Sequence, residues 1–185
     1  MIRIGVTGHR SLVEIPRLQA GINLALSQIA RLHPGKAWSV VSSLAEGADR
    51  LVVQRVLLAR PEARLMMPLP LAVSDYILDF STEESRVEFE NLLAQAAEMI
   101  LPITVPMRSQ AYLQAGISIV TRCDVLIALW DGQKAQGQGG AGEIVAIARQ
   151  KGLPIAWVKC GNRLPGTNEP VSLGEEQGRV IFEGF

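Results

Sequence analysis

Residues 124–130 read DVLIALW, six consecutive apolar side chains behind one aspartate. A strand with one face in water alternates apolar and polar residues, whereas a run without alternation needs cover on both faces. Such a strand belongs at the centre of a parallel sheet between two helical layers. The rest of the chain fits that demand. Short β-rich runs at 2–6, 38–42, 64–67 and 154–158 alternate with helical patterns. In 16–32, Leu18, Ile22, Ala25, Leu26, Ile29 and Leu32 recur at helical spacing. Pro16 suits the first turn there, and His33-Pro34-Gly35 stops the run. In 48–59, Leu51, Val52, Arg55 and Val56 share one helical face, closed by Arg60-Pro61.

The middle is less regular. Residues 74–80 read as a helical turn, and 82–99 as a helix with Phe89, Leu92, Leu93, Ala96 and Ala97 inward. A short strand is expected within 99–105, and helices at 111–122 and 143–150. The expected fold class is therefore α/β, three layers around a mostly parallel central sheet, with residues 1–160 as one domain. The polar, Gly/Pro-rich stretch 161–185 reads as a C-terminal tail. Its Val180-Ile181-Phe182 either adds an edge strand or stays mobile.

Charge and cysteine content narrow the functions. Eighteen basic and eighteen acidic side chains give a net charge of zero, and aromatic residues make up 5%. The balance removes the bulk drive toward a nucleic-acid backbone or an anionic membrane. Few aromatics argue against a base-stacking surface. No apolar run approaches the roughly 20 residues of a membrane span. Cys123 and Cys160 stand alone, with no CxxC or HxxxH spacing, so no metal site is expected. The chain starts at once on a strand, with no leader pattern. Reduced thiols and a cytoplasmic location are the expectation.

Parallel sheets bind ligands outside their strand C-termini. Four segments should meet there: Thr7-Gly8-His9-Arg10, 42–50 (SSLAEGADR), Pro68-Leu69-Pro70 and 131–143. Gly8 permits close backbone approach, and Thr7, His9 and Arg10 supply polar contacts. Ser42, Ser43, Glu46, Gly47, Asp49 and Arg50 cluster after the second strand. Ser43 and Glu46 also match a helix capping box. Asp131 and a loop with five glycines (132–142) follow the central strand. Gly137, Gly139 and Gly142 satisfy GxGxxG, but a dinucleotide fingerprint must directly follow a first strand, and this one lies after a late one. A better reading is a phosphate site. Gly132, Gly139, Gly140 and Gly142 let backbone N–H groups at a helix start approach an anion, with Glu143 in the first turn. Tyr76, Asp79 and Phe80 read as a lid or ligand wall, or as a plain surface turn.

GVTGHR after the first strand, SSLAEGADRL after the second, LPLP after the third, and DVLIALWDG followed by GGAGEIV together resemble the SLOG superfamily. That superfamily joins the lonely-guy phosphoribohydrolases, the YpsA-like proteins and the DprA/Smf recombination mediators. The resemblance covers about 1–160 and implies a Rossmann-like sheet that binds nucleotides or their derivatives. Gly139-Gly140-Ala141-Gly142-Glu143 resembles the lonely-guy PGGxGTxxE signature, with Gln138 in place of the proline, no threonine, and Glu143 directly after Gly142. The resemblance implies that Glu143 acts at the N-glycosidic bond of a nucleoside monophosphate. Arg108 and Arg122 match the family's arginine by position only. It also implies a homodimer.

Two functions follow. As an enzyme, the chain would hydrolyse the base–ribose bond of a small nucleotide-like ligand. Glu143 would be the catalytic carboxylate, with Asp49 or Glu46 as ribose or water partners. As a sensor, the same crevice would hold NAD- or ADP-ribose-like ligands without turnover. DprA-like single-stranded DNA binding ranks below both on charge and aromatic content. No bound cofactor is expected.

Overall fold

The computed structural model describes residues 1–135 and 137–185. The first strand, β1 (Ile2–Gly8), pairs in parallel with β2 (Trp38–Val41), which pairs with β3 (Arg64–Pro68), which pairs with β4 (Ala96–Ile100). On its other side β1 pairs in parallel with β5 (Val125–Trp130), and β5 with β6 (Ile155–Lys159). The last strand, β7 (Val180–Glu183), closes that edge antiparallel to β6. The order is β4-β3-β2-β1-β5-β6-β7. It grows outward from β1 in one direction, then jumps back past β1, so the order reverses between β1 and β5. This is the point at which open α/β sheets leave a crevice beyond their strand C-termini.

The helices are α1 (Ile15–Leu32), α2 (Ala48–Ala59), the single turn α3 (Val73–Tyr76), α4 (Glu83–Leu93), α5 (Arg108–Arg122) and α6 (Ala141–Gln150). They cover both faces, and β5 shows how. Val125, Ile127 and Leu129 join the core beneath α1 and α2. Leu126, Ala128 and Trp130 join the core beneath α5 and α6. All six are buried, and each large side chain contributes roughly 1.5–3 kcal/mol by leaving water. The unbroken apolar run is thus the imprint of two hydrophobic layers, one on each side of a single strand.

Two expectations are corrected. The helix read over 82–99 ends at Leu93. Ala96 is already in β4, paired beside Leu65, so the strand sought within 99–105 starts earlier. The capping box is not formed: α2 starts at Ala48 behind Gly47, with no side-chain cap, and Ser43 Oγ donates instead to the Pro68 carbonyl at 2.6 Å. The serine hydroxyl thus serves a distant carbonyl as donor instead of a helix amide as acceptor.

Candidate functional site

A cleft of about 670 Å³ opens at the switch point. Its floor is Thr7, Gly8, His9 and Arg10 at the end of β1 and Trp130-Asp131 at the end of β5. One wall is Ser43, Ala45, Asp49 and Tyr76. The other is Tyr112 of α5 with the glycine loop and the start of α6. Such a volume is in the range of small-molecule sites. A more open hollow between α2 and α4 is lined by Glu83, Glu84 and Glu88. Its carboxylates make a poor seat for an anion.

The β2–α2 loop is built around a serine. Ser42 Oγ accepts the Leu44 amide at 3.0 Å and donates to Asp49 Oδ2 at 2.7 Å. Leu44 is fully buried with φ +56, a left-handed conformation that a leucine adopts only when its surroundings impose it. Arg50 completes the constraint by donating Nε to the Leu44 carbonyl at 3.1 Å. Gly47 follows with φ +78, and a β-carbon there would lie 2.2 Å from the Arg10 carbonyl oxygen. Only glycine lets the β2–α2 loop touch the end of β1. The Ala48 amide then donates to the His9 carbonyl at 3.0 Å.

Asp49 is 6% exposed. Burial pushes its carboxyl up to about 6, while hydrogen bonds from Ser42 and the Ala45 and Ser43 amides and the charge of Arg10 pull the other way. It stands on the wall of the cleft. Tyr76 lies beside it, its phenol pushed up by burial and by the Asp49 charge. The His9 Nε2 accepts the Asp131 amide at 3.1 Å and lies 3.3 Å from Asp131 Oδ1. The nearby carboxylate favours protonation, but burial is the larger effect and holds the imidazole below its ordinary value.

The glycine loop is braced from within. Glu143 Oε2 accepts the Gly139 amide at 2.7 Å. Gly140 is the N-cap residue of α6, and its carbonyl accepts from the Glu143 and Ile144 amides. The N–H groups of Ala141 and Gly142 stand at the helix start, where no intrahelical acceptor exists, and both residues line the cleft.

Of the sequence-predicted residues, Thr7, Gly8, His9, Arg10, Ser43, Asp49, Asp131, Gly139, Gly140 and Gly142 line this cleft. Five others lie behind or beside that lining. Ser42 orients Asp49, Gly47 shapes the loop, and Gly132 makes a left-handed turn with φ +85. Glu46 accepts a hydrogen bond from Ser85 Oγ at the start of α4. Glu143 turns back onto its own loop. Arg108 pairs with Asp79 at the start of α5, and Arg122 donates to Ser118 at the far end of that helix. Tyr76 is cleft wall, whereas Phe80 is core. Asp79 holds Arg108 and the Tyr112 hydroxyl. Sequence reasoning missed Tyr112, Lys134, Asn162 and Arg163, all of which line the cleft. Only Pro165-Gly166, a turn signal, marked the last two as part of an ordered hairpin.

Among the described residues no cluster of side chains is arranged to hold a metal ion, and no helix is long and apolar enough to cross a membrane. Both cysteines are free and buried, with thiols pushed up to about 12 by burial.

An open, mostly parallel α/β sheet with its cleft at the strand-order reversal defines a Rossmann-like protein. In fold the chain is similar to DNA processing protein A (DprA) from Streptococcus pneumoniae, with a TM-score of 0.55 and 14% identity. The match covers 95% of this chain and 53% of that one, so the chain spans about half its length. No family model matches the sequence, and no curated protein does.

Proposed function

We propose that the chain is a SLOG-type protein that binds a nucleotide or nucleotide-derived ligand in the switch-point cleft. A phosphate would sit on the Ala141 and Gly142 amides, with the ribose against Thr7 and Asp49. The observation that carries this reading is the pairing of the α6 N-terminus with a buried carboxyl, Asp49, oriented by Ser42, across one cleft. Oriented amides and the helix dipole favour an anion. Asp49, ionised at neutral pH, accepts a ribose hydroxyl. Glu143 supports binding by fixing the Gly139 amide rather than by entering the cleft.

That placement of Glu143 favours the sensor over the hydrolase. Should turnover occur, Asp49 is the group positioned to take a proton from an attacking water.

Calorimetry with AMP, ADP, ADP-ribose and NAD, with product analysis on the same samples, tests the reading. Saturable binding of at least one ligand, abolished by filling the loop with Gly142→Val, is expected. No binding at about 1 mM, a standard free energy weaker than roughly −4 kcal/mol, overturns it. Release of free base would make the protein a hydrolase. Tight, salt-sensitive binding of single-stranded oligonucleotides would make it a DNA-binding protein.

A further inference from the structure

We infer that the hairpin 162–171, carried by the chain between β6 and β7, is part of the binding site, and that Arg163 on it reads a second anionic group of the ligand. This rests on the cleft being a nucleotide-ligand site.

The hairpin is preorganised. Leu164 donates its amide to the Glu169 carbonyl at 2.9 Å, and Val171 to Asn162 at 2.6 Å. Thr167 donates to Leu164 at 3.0 Å around Pro165-Gly166, with Gly166 at φ +77, the positions that proline and glycine favour in a tight turn. Its base is fixed by Gln177, 4% exposed, whose Oε1 accepts the Gly161 amide at 2.9 Å and the Leu173 amide at 3.3 Å. The same side chain donates Nε2 to the Val13 carbonyl at 3.0 Å. One buried amide therefore ties the hairpin to the segment that leads from β1 into α1. At Gly161 a β-carbon would lie 1.8 Å from the Val171 carbonyl oxygen, so the two strands close only around glycine.

The charge pattern says what the hairpin is for. Arg10, Lys134 and Arg163 reach the cleft from three different loops. Among the described residues none of the three pairs with a carboxylate, although Arg3, Arg108 and Arg149 elsewhere do. Arg163 makes its side-chain hydrogen bond to Asn168 Oδ1, a neutral acceptor, at 2.9 Å. Arg10 lies over the Tyr112 ring at 5.5 Å, which limits its swing. An anion in the cleft would relieve the repulsion among these cations, of which Arg10 is near enough to a carboxyl, Asp49, to shift that carboxyl's titration. Lys134 lies on the glycine loop with the α6 amides and matches one phosphate. Arg10 and Arg163 are left over, and a guanidinium suits a second phosphate or carboxylate.

The test compares AMP with ADP by calorimetry on the full chain, for wild type, Arg163→Ala and Lys134→Ala. Arg163 is exposed, so its removal leaves the core intact. Wild type should prefer ADP, and Arg163→Ala should lose about ten-fold in ADP affinity while AMP affinity stays within about two-fold, as expected for one charge-assisted hydrogen bond. Lys134→Ala should weaken both ligands alike. Equal effects of Arg163→Ala on AMP and ADP, or none on either, overturn the role of Arg163 and leave the nucleotide reading standing. Binding of neither ligand to wild type overturns the role of Arg163, and the nucleotide reading falls with it when ADP-ribose and NAD fail to bind as well.

Discussion

Ser42 Oγ donates a 2.7 Å hydrogen bond to Asp49 Oδ2, seven positions further along the chain, joining the end of β2 to the first turn of α2. The same oxygen accepts the amide of left-handed Leu44. The backbone strain of the loop and the orientation of the cleft carboxyl are therefore one arrangement. A loop relaxed at Leu44 would no longer aim Asp49.

Asp49 makes stability depend on pH in a defined direction. Its folded value of about 6 lies above the ordinary aspartate value, so the folded state holds the proton more tightly than the unfolded chain. Its favourable contribution is complete below about pH 4 and is lost as pH rises through about 6. Asp49→Asn cannot ionise and can still accept from Ser42. The stability of the variant minus that of wild type should stay flat below about pH 4 and rise on the order of 2–3 kcal/mol by pH 8. Urea denaturation at a series of pH values reads this difference. A constant difference across that range would falsify the assignment.

His9 moves the other way. Burial lowers its pKa, and the Asp131 charge is the main opposing influence. An imidazole held below its unfolded value stabilises the fold above about pH 6.5 and loses that contribution as pH falls. NMR titration should place His9 below a free histidine, and Asp131→Asn should lower it further. A rise in that variant would show that Asp131 does not act through its charge.

The sheet was legible because its signals are local. A strand buried on both faces must be apolar at every position, and residues 125–130 are. The end of α4 was not legible: Ala96 and Ala97 extend the helical spacing of Phe89, Leu92 and Leu93, and no glycine or proline interrupts them. What ends the helix is the free edge of β3, distant in sequence. The cleft residues at strand ends followed from topology alone. Tyr112 and Arg163 could not, because each comes from a segment outside those strand ends and neither carries a motif, and Lys134 lay within the 131–143 segment without any signal of its own. Glu143 stands where the motif puts a catalytic carboxylate, and its Oε2 accepts the Gly139 amide, a contact that no spacing in the sequence foretells.

Gly47 should tolerate no side chain. Its φ of +78 with ψ of −116 lies outside the left-handed helical well, in backbone that glycine alone adopts readily, and the new β-carbon would overlap the Arg10 carbonyl. Gly35 supplies the control, because its φ is +70 but nothing lies within 4 Å. Gly35→Ala should show the cost of a positive φ in open space, and Gly47→Ala a larger loss in urea denaturation, because the β1–α1 loop must also move. Equal losses for the two variants would mean that the loops do not need their close approach.

Arg50 tests whether the wall behind the cleft is held by charge or by shape. It is 2% exposed, stacks on Phe80 with its guanidinium carbon 4.4 Å from the ring centre, and donates to Leu44 and Ser85 carbonyls. Its partner Glu88 is 43% exposed at the side chain, so water screens that ion pair. Its Nη2 is buried without a partner among the described residues, a desolvation cost that no bond offsets. Arg50→Ala leaves a cavity against Phe80 and two unsatisfied carbonyls, and should cost roughly 3–5 kcal/mol in urea denaturation. Arg50→Met keeps the volume and removes both the charge and the unpartnered N–H, so it should lose less than half as much. Equal losses for alanine and methionine would show that the bonds to Leu44 and Ser85, rather than the stacked volume, hold the left-handed turn behind Asp49.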